Sequence, residues 1–194
     1  AGRPAWESVG AEFTSDVGSY ETMKLRLLNG SHSTLAYLGF LAGFETIWQA
    51  SADPELAALV ERQMAEEIIP TVAPPAGVDL VAYARTLLVR FRNTALPHRT
   101  QQIAMDGSQK LPQRLLNTVR DRLAGGGSYD HLALAVAGWI RYCAGVDEAG
   151  KPIAVSDPMA PTFAEIARRA GGDPARLAAG FLDLTAVFGD DLSA

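Results

Sequence analysis

The stretch SYETMKLRLLNGSHSTLAYLGFLA, residues 19–42, decides the fold class. Met23, Leu27, Leu28, Leu35, Leu38 and Leu41 recur through it at helical spacing, the pattern of a helix that buries one stripe. Gly30, Gly39 and Gly43 interrupt the stripe. A glycine costs a helix interior about 1 kcal/mol relative to alanine, so these positions predict close packing or a local break.

Outward from this stretch the pattern stays helical. Asp53-Pro54, an N-cap followed by proline at the first helical position, opens a second helix that runs to about Ile69, where Pro70 stops it. Pro74-Pro75-Ala76-Gly77 reads as a loop, Asp79 caps a third helix reaching Phe91, and Asn93 to Pro97 reads as a turn. Further helices are predicted at His98–Met105, Leu111–Leu123, Asp130–Ala144, Met159–Ala170 and Asp173–Phe188. Gly125 to Ser128 and Gly145 to Asp157 connect them, and only Ile153–Val155 suggests a short extended piece. LALAVAGWI (132–140) is apolar throughout and predicts a central, buried helix. The fold class is all-α, about eight helices joined by short loops.

At 194 residues the chain suits one domain with a sizeable core, or at most two small ones. Its formal net charge of −5 argues against a nucleic-acid partner. The single cysteine, Cys143, permits no internal disulfide and no cysteine-held zinc, which fits a cytoplasmic setting. No apolar run reaches the length that spans a bilayer, so no membrane partner is expected. The opening AGRPAWESVG lacks an initiator Met and the marks of a signal peptide, and reads as mid-protein text from an excised fragment.

Two segments carry possible chemistry. The first is Lys24-Leu-Arg-Leu-Leu-Asn29-Gly-Ser-His32. On a regular α-helix these three polar residues fall within an arc of about 140°, and Lys24 and His32 lie about 12 Å apart along the axis. They can line one wall of a pocket. A lysine against an apolar wall serves as a general base, an asparagine amide can donate to a developing alkoxide, and a histidine can hydrogen-bond a substrate hydroxyl. Spacing alone leaves open the plainer alternative, that the three are solvated or structurally satisfied. The second segment is QIAMDGSQKLPQR (102–114), where Asp106-Gly107 signals a turn holding Lys110 and Leu111-Pro112 restarts a helix. A plain helix–turn–helix with a surface lysine is the competing reading.

The remaining signals are weaker. His98 and His131 stand isolated in sequence and form no spaced pair with His32, so no metal site is expected. Glu66-Glu67 and Asp190-Asp191 read as solvated acidic pairs, and Trp48 and Trp139 as core or interface. No G-x-G-x-x-G follows a strand and no Walker loop occurs, so a nucleotide cradle is missing from this segment.

MKLRLLNGSHSTLAYLGFLAG (23–43), HRTQQIAMDGSQKLPQR (98–114), LALAVAGWIRYCAGVDEAGKPI (132–153) and VFGDDL (187–192) together resemble the mannitol dehydrogenase family, the long-chain polyol dehydrogenases that include fructuronate reductases (mannonate oxidoreductases). The likeness covers nearly the whole chain. It implies a multi-helix C-terminal domain like that of 6-phosphogluconate dehydrogenase, normally attached to an N-terminal Rossmann domain that is missing from this sequence. Residues 1–16 then form the inter-domain approach and residues 17–194 the substrate-binding and catalytic domain. By this resemblance Lys24 is the catalytic lysine of a K-x-x-x-x-N-x-x-H motif, Asn29 polarises the reacting oxygen, His32 positions substrate and Lys110 contacts it. NAD, or alternatively NADP, is implied as the cofactor, held mainly by the missing domain, and no metal is needed. The implied reaction interconverts a secondary alcohol of a polyol or sugar acid and its ketone. Gln102 and Met105 stand where mannitol-type members carry Arg and His, which favours D-mannonate and D-fructuronate, with D-mannitol and D-fructose next. The alternative is a non-catalytic helical interaction domain, inactive alone and self-associating through an exposed apolar face.

Overall fold

The computed structural model describes residues 2–11 and 13–192. The helix predicted over 19–42 is present but has three parts that continue without a break: α1 (Val17–Met23), a π-helical segment π1 (Lys24–Gly30) and α2 (Ser31–Leu41). The Asp16 carboxylate accepts from the Ser19 amide and caps α1. Gly30 marks close packing. A Cβ there would lie 2.7 Å from the backbone oxygen of Arg114, on a segment 84 residues downstream. Gly43, at φ 87°, ends the run in a conformation that favours glycine.

Side-chain caps start several of the other helices. Thr46 and Gln49 form a reciprocal capping box for α3 (Ile47–Ala52), a helix with no counterpart among the predicted elements. Asp53 accepts from Glu55 and Leu56 amides to start α4 (Pro54–Arg62), which continues as π2 (Gln63–Ile68). Asp79 does the same for α5 (Leu80–Phe91).

The predicted helix at His98–Met105 shrinks to α6 (Thr100–Ile103). Asp106 adopts a left-handed conformation at φ 55°, and α7 (Gly107–Leu111) starts there, four residues before the predicted restart. Lys110 is therefore in a helix and not in a turn. A third π segment, π3 (Pro112–Leu116), leads into α8 (Asn117–Ala124). After α9 (Asp130–Cys143) and α10 (Ala160–Ala170), the last predicted helix divides into α11 (Pro174–Leu182) and α12 (Thr185–Phe188). No strand forms among the described residues. The piece around Ile153 pairs only through an isolated bridge between Val146 and Pro152.

Helix α9 packs along α2 and organises the core. Trp139 is wholly buried, with the rings of Phe163 and Phe181 meeting it edge-on at 5.5 and 5.3 Å between centroids. Not all of α9 is enclosed: Leu134 is 48% exposed, so the apolar stretch 132–140 keeps one face open.

Glu67 is not solvated. It is buried in π2, and its two carboxylate oxygens accept the amides of His131 and Leu132 at 2.8 Å each, with the His131 ring at the same distance. One helix thus caps the N-terminus of another through a buried carboxylate, which also meets the positive end of the α9 dipole. Asp191 likewise is no free surface acid, since it pairs with Arg120 at 2.6 Å. No helix of the described residues is long and apolar enough to cross a membrane.

Candidate active site

Segment π1 sets the geometry of the polar trio. In a π turn the hydrogen bonds join residue i to i+5. Lys24 and Asn29, the two ends of that interval, therefore stand on the same side of the helix, where regular α geometry sets them about 140° apart. His32 follows Asn29 by three residues in α2 and shares that side. Lys24 is exposed and Asn29 partly buried, so the stripe runs from solvent inward to the histidine. The apolar wall expected around Lys24 is not supplied by the described residues.

His32 lies deepest. Its ring stacks on Phe91 at 5.3 Å and stands 5.7 Å from the ring of His98. His98, isolated in sequence, is thus brought to the site by the fold. The two histidines share a cavity of about 50 Å³ with Leu28, Ile47, Arg90, Phe91 and Leu96. That is far below the roughly 300–1,000 Å³ of ligand pockets, so a sugar-sized ligand has to lie along the open stripe, not inside this cavity. The buried Nε2 of His32 has no partner among the described residues.

Burial, reinforced by His98, Arg114 and Arg90, pushes the His32 pKa down to about 4. The ring is therefore neutral near pH 7, able to donate through one nitrogen and accept through the other. It also makes stability depend on pH. A base whose folded pKa is below its unfolded value of about 6.5 binds more protons when unfolded, so stability is lost as pH falls from about 6.5 to about 4. The loss attributable to His32 is about 2–3 kcal/mol by the lower end of that window. Urea unfolding of the wild type and of His32→Gln across this range measures it. A wild-type slope no steeper than the variant's would refute the buried neutral ring.

Lys110 points its ammonium back over the turn before it, donating to the Met105 carbonyl at 2.6 Å and lying 3.9 Å from the Asp106 carboxylate. Burial, then the nearby Arg114 charge, lowers its pKa. Arg114 crosses from π3 to α2 and donates to the Oγ of the buried Ser33 at 3.1 Å, one residue along the chain from His32. It joins the Lys110 segment to the Lys24–Asn29–His32 stripe, and the charge on its guanidinium bears on both Lys110 and His32. Among the described residues no group of three or more His, Cys, Asp or Glu is placed to share a metal ion.

Arg114 and His98 carry weight here that the sequence reading did not give them. Arg114 follows Lys110 by four residues, a spacing that places both on one helical face once 107–116 is read as helix. His98 offered no such signal, because 66 residues separate it from His32.

A family profile described as the mannitol dehydrogenase C-terminal domain matches residues 16–194. The chain belongs to the mannitol dehydrogenase family. It is 54% identical over 192 residues to the D-mannonate oxidoreductase of Escherichia coli K12, covering 98% of this chain and 39% of that protein. It is 38% identical to the mannitol 2-dehydrogenase of Aspergillus fumigatus, covering 98% of this chain and 38% of that protein. Its fold matches the Pseudomonas fluorescens mannitol 2-dehydrogenase solved in a ternary complex with NAD and D-mannitol, with a TM-score of 0.88 and 39% identity, over 97% of this chain and 38% of that one. The mannitol dehydrogenase domain described here therefore spans about two fifths of the length of these relatives. No strand forms among its described residues. The Lys24 end of the stripe is exposed.

Proposed function

We propose that this domain forms the substrate side of an NAD-dependent oxidoreductase that interconverts the secondary alcohol of a sugar acid or polyol and its ketone. D-Mannonate and D-fructuronate are the favoured pair, with D-mannitol and D-fructose next. The observation that carries the proposal is the alignment of Lys24, Asn29 and His32 along one side of a continuous helix by the π1 segment. The identity to a D-mannonate oxidoreductase supports the order of substrates. So, by the resemblance to the family, do Gln102, exposed, and Met105, 37% exposed, in place of the Arg and His that the resemblance implies for mannitol-type members.

When bound, a nicotinamide cofactor would supply the hydride acceptor, or in reduction the donor, for the carbinol carbon. This chain's residues handle the rest. Lys24 takes the hydroxyl proton in oxidation and returns it to the same oxygen in reduction. Asn29, one π turn along, donates its amide N–H to that oxygen as negative charge develops. His32, held neutral, fixes a neighbouring hydroxyl, and Lys110 contacts the far part of the substrate.

The test is a panel of aldonates and polyols with NAD, and of the matching ketones with NADH, using the full-length protein that carries this chain. The expected result is turnover of D-mannonate with kcat/KM about tenfold or more above that of D-mannitol, the difference one charge-assisted contact makes. No turnover of any member of either class, by a folded protein, refutes the proposal.

A further inference from the structure

The guanidinium of Arg114 is half-buried beside the candidate site and is left without a counter-charge. Among the described residues no carboxylate pairs with it. Among the described residues its hydrogen bond goes to a neutral hydroxyl, Ser33 Oγ, and its buried Nε has no partner. Holding a partly desolvated cation without an anion is costly. Asp106 and Asp157, the acids that bear on the neighbouring Lys110, are already engaged. Asp157 accepts from the amide and hydroxyl of Ser108 and from the Met159 amide, and Asp106 faces Lys110. The groups that act on His32 are His98, Arg114 and Arg90, with no carboxylate among them, in a chain whose net charge is −5. The site thus concentrates positive charge within an acidic molecule.

We propose that Arg114 recognises the carboxylate of a sugar-acid substrate, and that this contact sets the preference for aldonates over neutral polyols. The proposal rests on the oxidoreductase reading above and adds a specificity-determining residue to it. The reasoning is from geometry and charge. Arg114 is one helical turn beyond Lys110, and its fork reaches the residue next to His32. A planar guanidinium matches a carboxylate with two parallel N–H···O bonds, which a neutral hydroxyl cannot reproduce. A polyol laid along the Lys24–Asn29–His32 stripe satisfies the hydrogen bonds but leaves the charge uncompensated. An aldonate in the same pose neutralises it.

The experiment compares Arg114→Gln and Arg114→Lys with wild type in the full-length protein, on D-mannonate and on D-mannitol. Arg114→Gln is expected to lower kcat/KM for the acid by about 10–100-fold, mainly through KM, with less than about a threefold change for the polyol. Arg114→Lys restores part of the loss, since the charge is kept and the fork is not. An equal loss on both substrates, or no loss on either, overturns the proposal, because a packing role through Ser33 treats the two alike. Should Arg114→Gln fail to fold, the wild type decides by comparison of D-mannonate with its uncharged amide, and equal kcat/KM for the two overturns the proposal. Wild-type turnover of neutral polyols alone would sink this assignment and leave the oxidoreductase reading standing. Turnover of neither class sinks both.

Discussion

On the proposed mechanism, Lys24→Ala in the full-length protein is expected to lower kcat by about 10²–10⁴-fold, the range that a positioned acid–base group contributes. Lys24 is exposed, so the substitution removes no buried contact and the fold is retained. The loss is expected in kcat and kcat/KM together, because the proton leaves the hydroxyl only as the reaction proceeds. The pH profile of kcat flattens with it. Steady-state kinetics from pH 6 to 10 check both, with circular dichroism to verify folding. A near-normal kcat with an unchanged profile would remove Lys24 from the mechanism. It would favour instead the plainer reading, in which the trio is structural and the domain serves association.

Glu67→Ala is expected to have the largest effect on stability. The substitution strips the acceptor from two amides in the first turn of α9 and from the His131 ring, at a site where the carboxylate is only 1% exposed. Breaking a buried, hydrogen-bonded charged contact of this kind costs about 3–5 kcal/mol. For a chain of this length that lowers Tm by about 10 °C or more. Glu67→Gln keeps a carbonyl acceptor for one amide and should lose about half as much. Chemical denaturation and calorimetry measure both. A loss below about 1 kcal/mol for Glu67→Ala would mean that water takes over the cap. Because α9 carries Trp139 and packs along α2, the variant is also expected to loosen the site, which makes stability the cleaner readout.

The two predictions draw on features that were unequally legible. Lys24, Asn29 and His32 stand within nine residues of one another, so their spacing was visible in the sequence. Their alignment was not, because an α-helical and a π-helical reading of the same letters differ in the fourth or fifth hydrogen-bond partner, and no composition rule marks that choice. The burial of Glu67 is hidden from the sequence for a different reason. Its neighbour Glu66 is exposed, and two adjacent acids look alike until the tertiary fold brings the start of α9 against one of them. His98 and Arg114 belong with Glu67, since each gains its meaning from a partner far along the chain.

By itself the sequence determined the helical class and most helix starts. These depend on local rules: apolar residues at helical spacing, Asp-Pro caps at Asp53 and Asp173, and glycines where helices stop. The tertiary structure alone decided which polar groups are buried, which share a face and which are left without a partner. Gly30 shows the division. The sequence marks it as an anomaly in a helix, and only the backbone of Arg114 packed against it accounts for it. Burial and close approach come from contacts between distant segments, and a local pattern does not encode which segments those are.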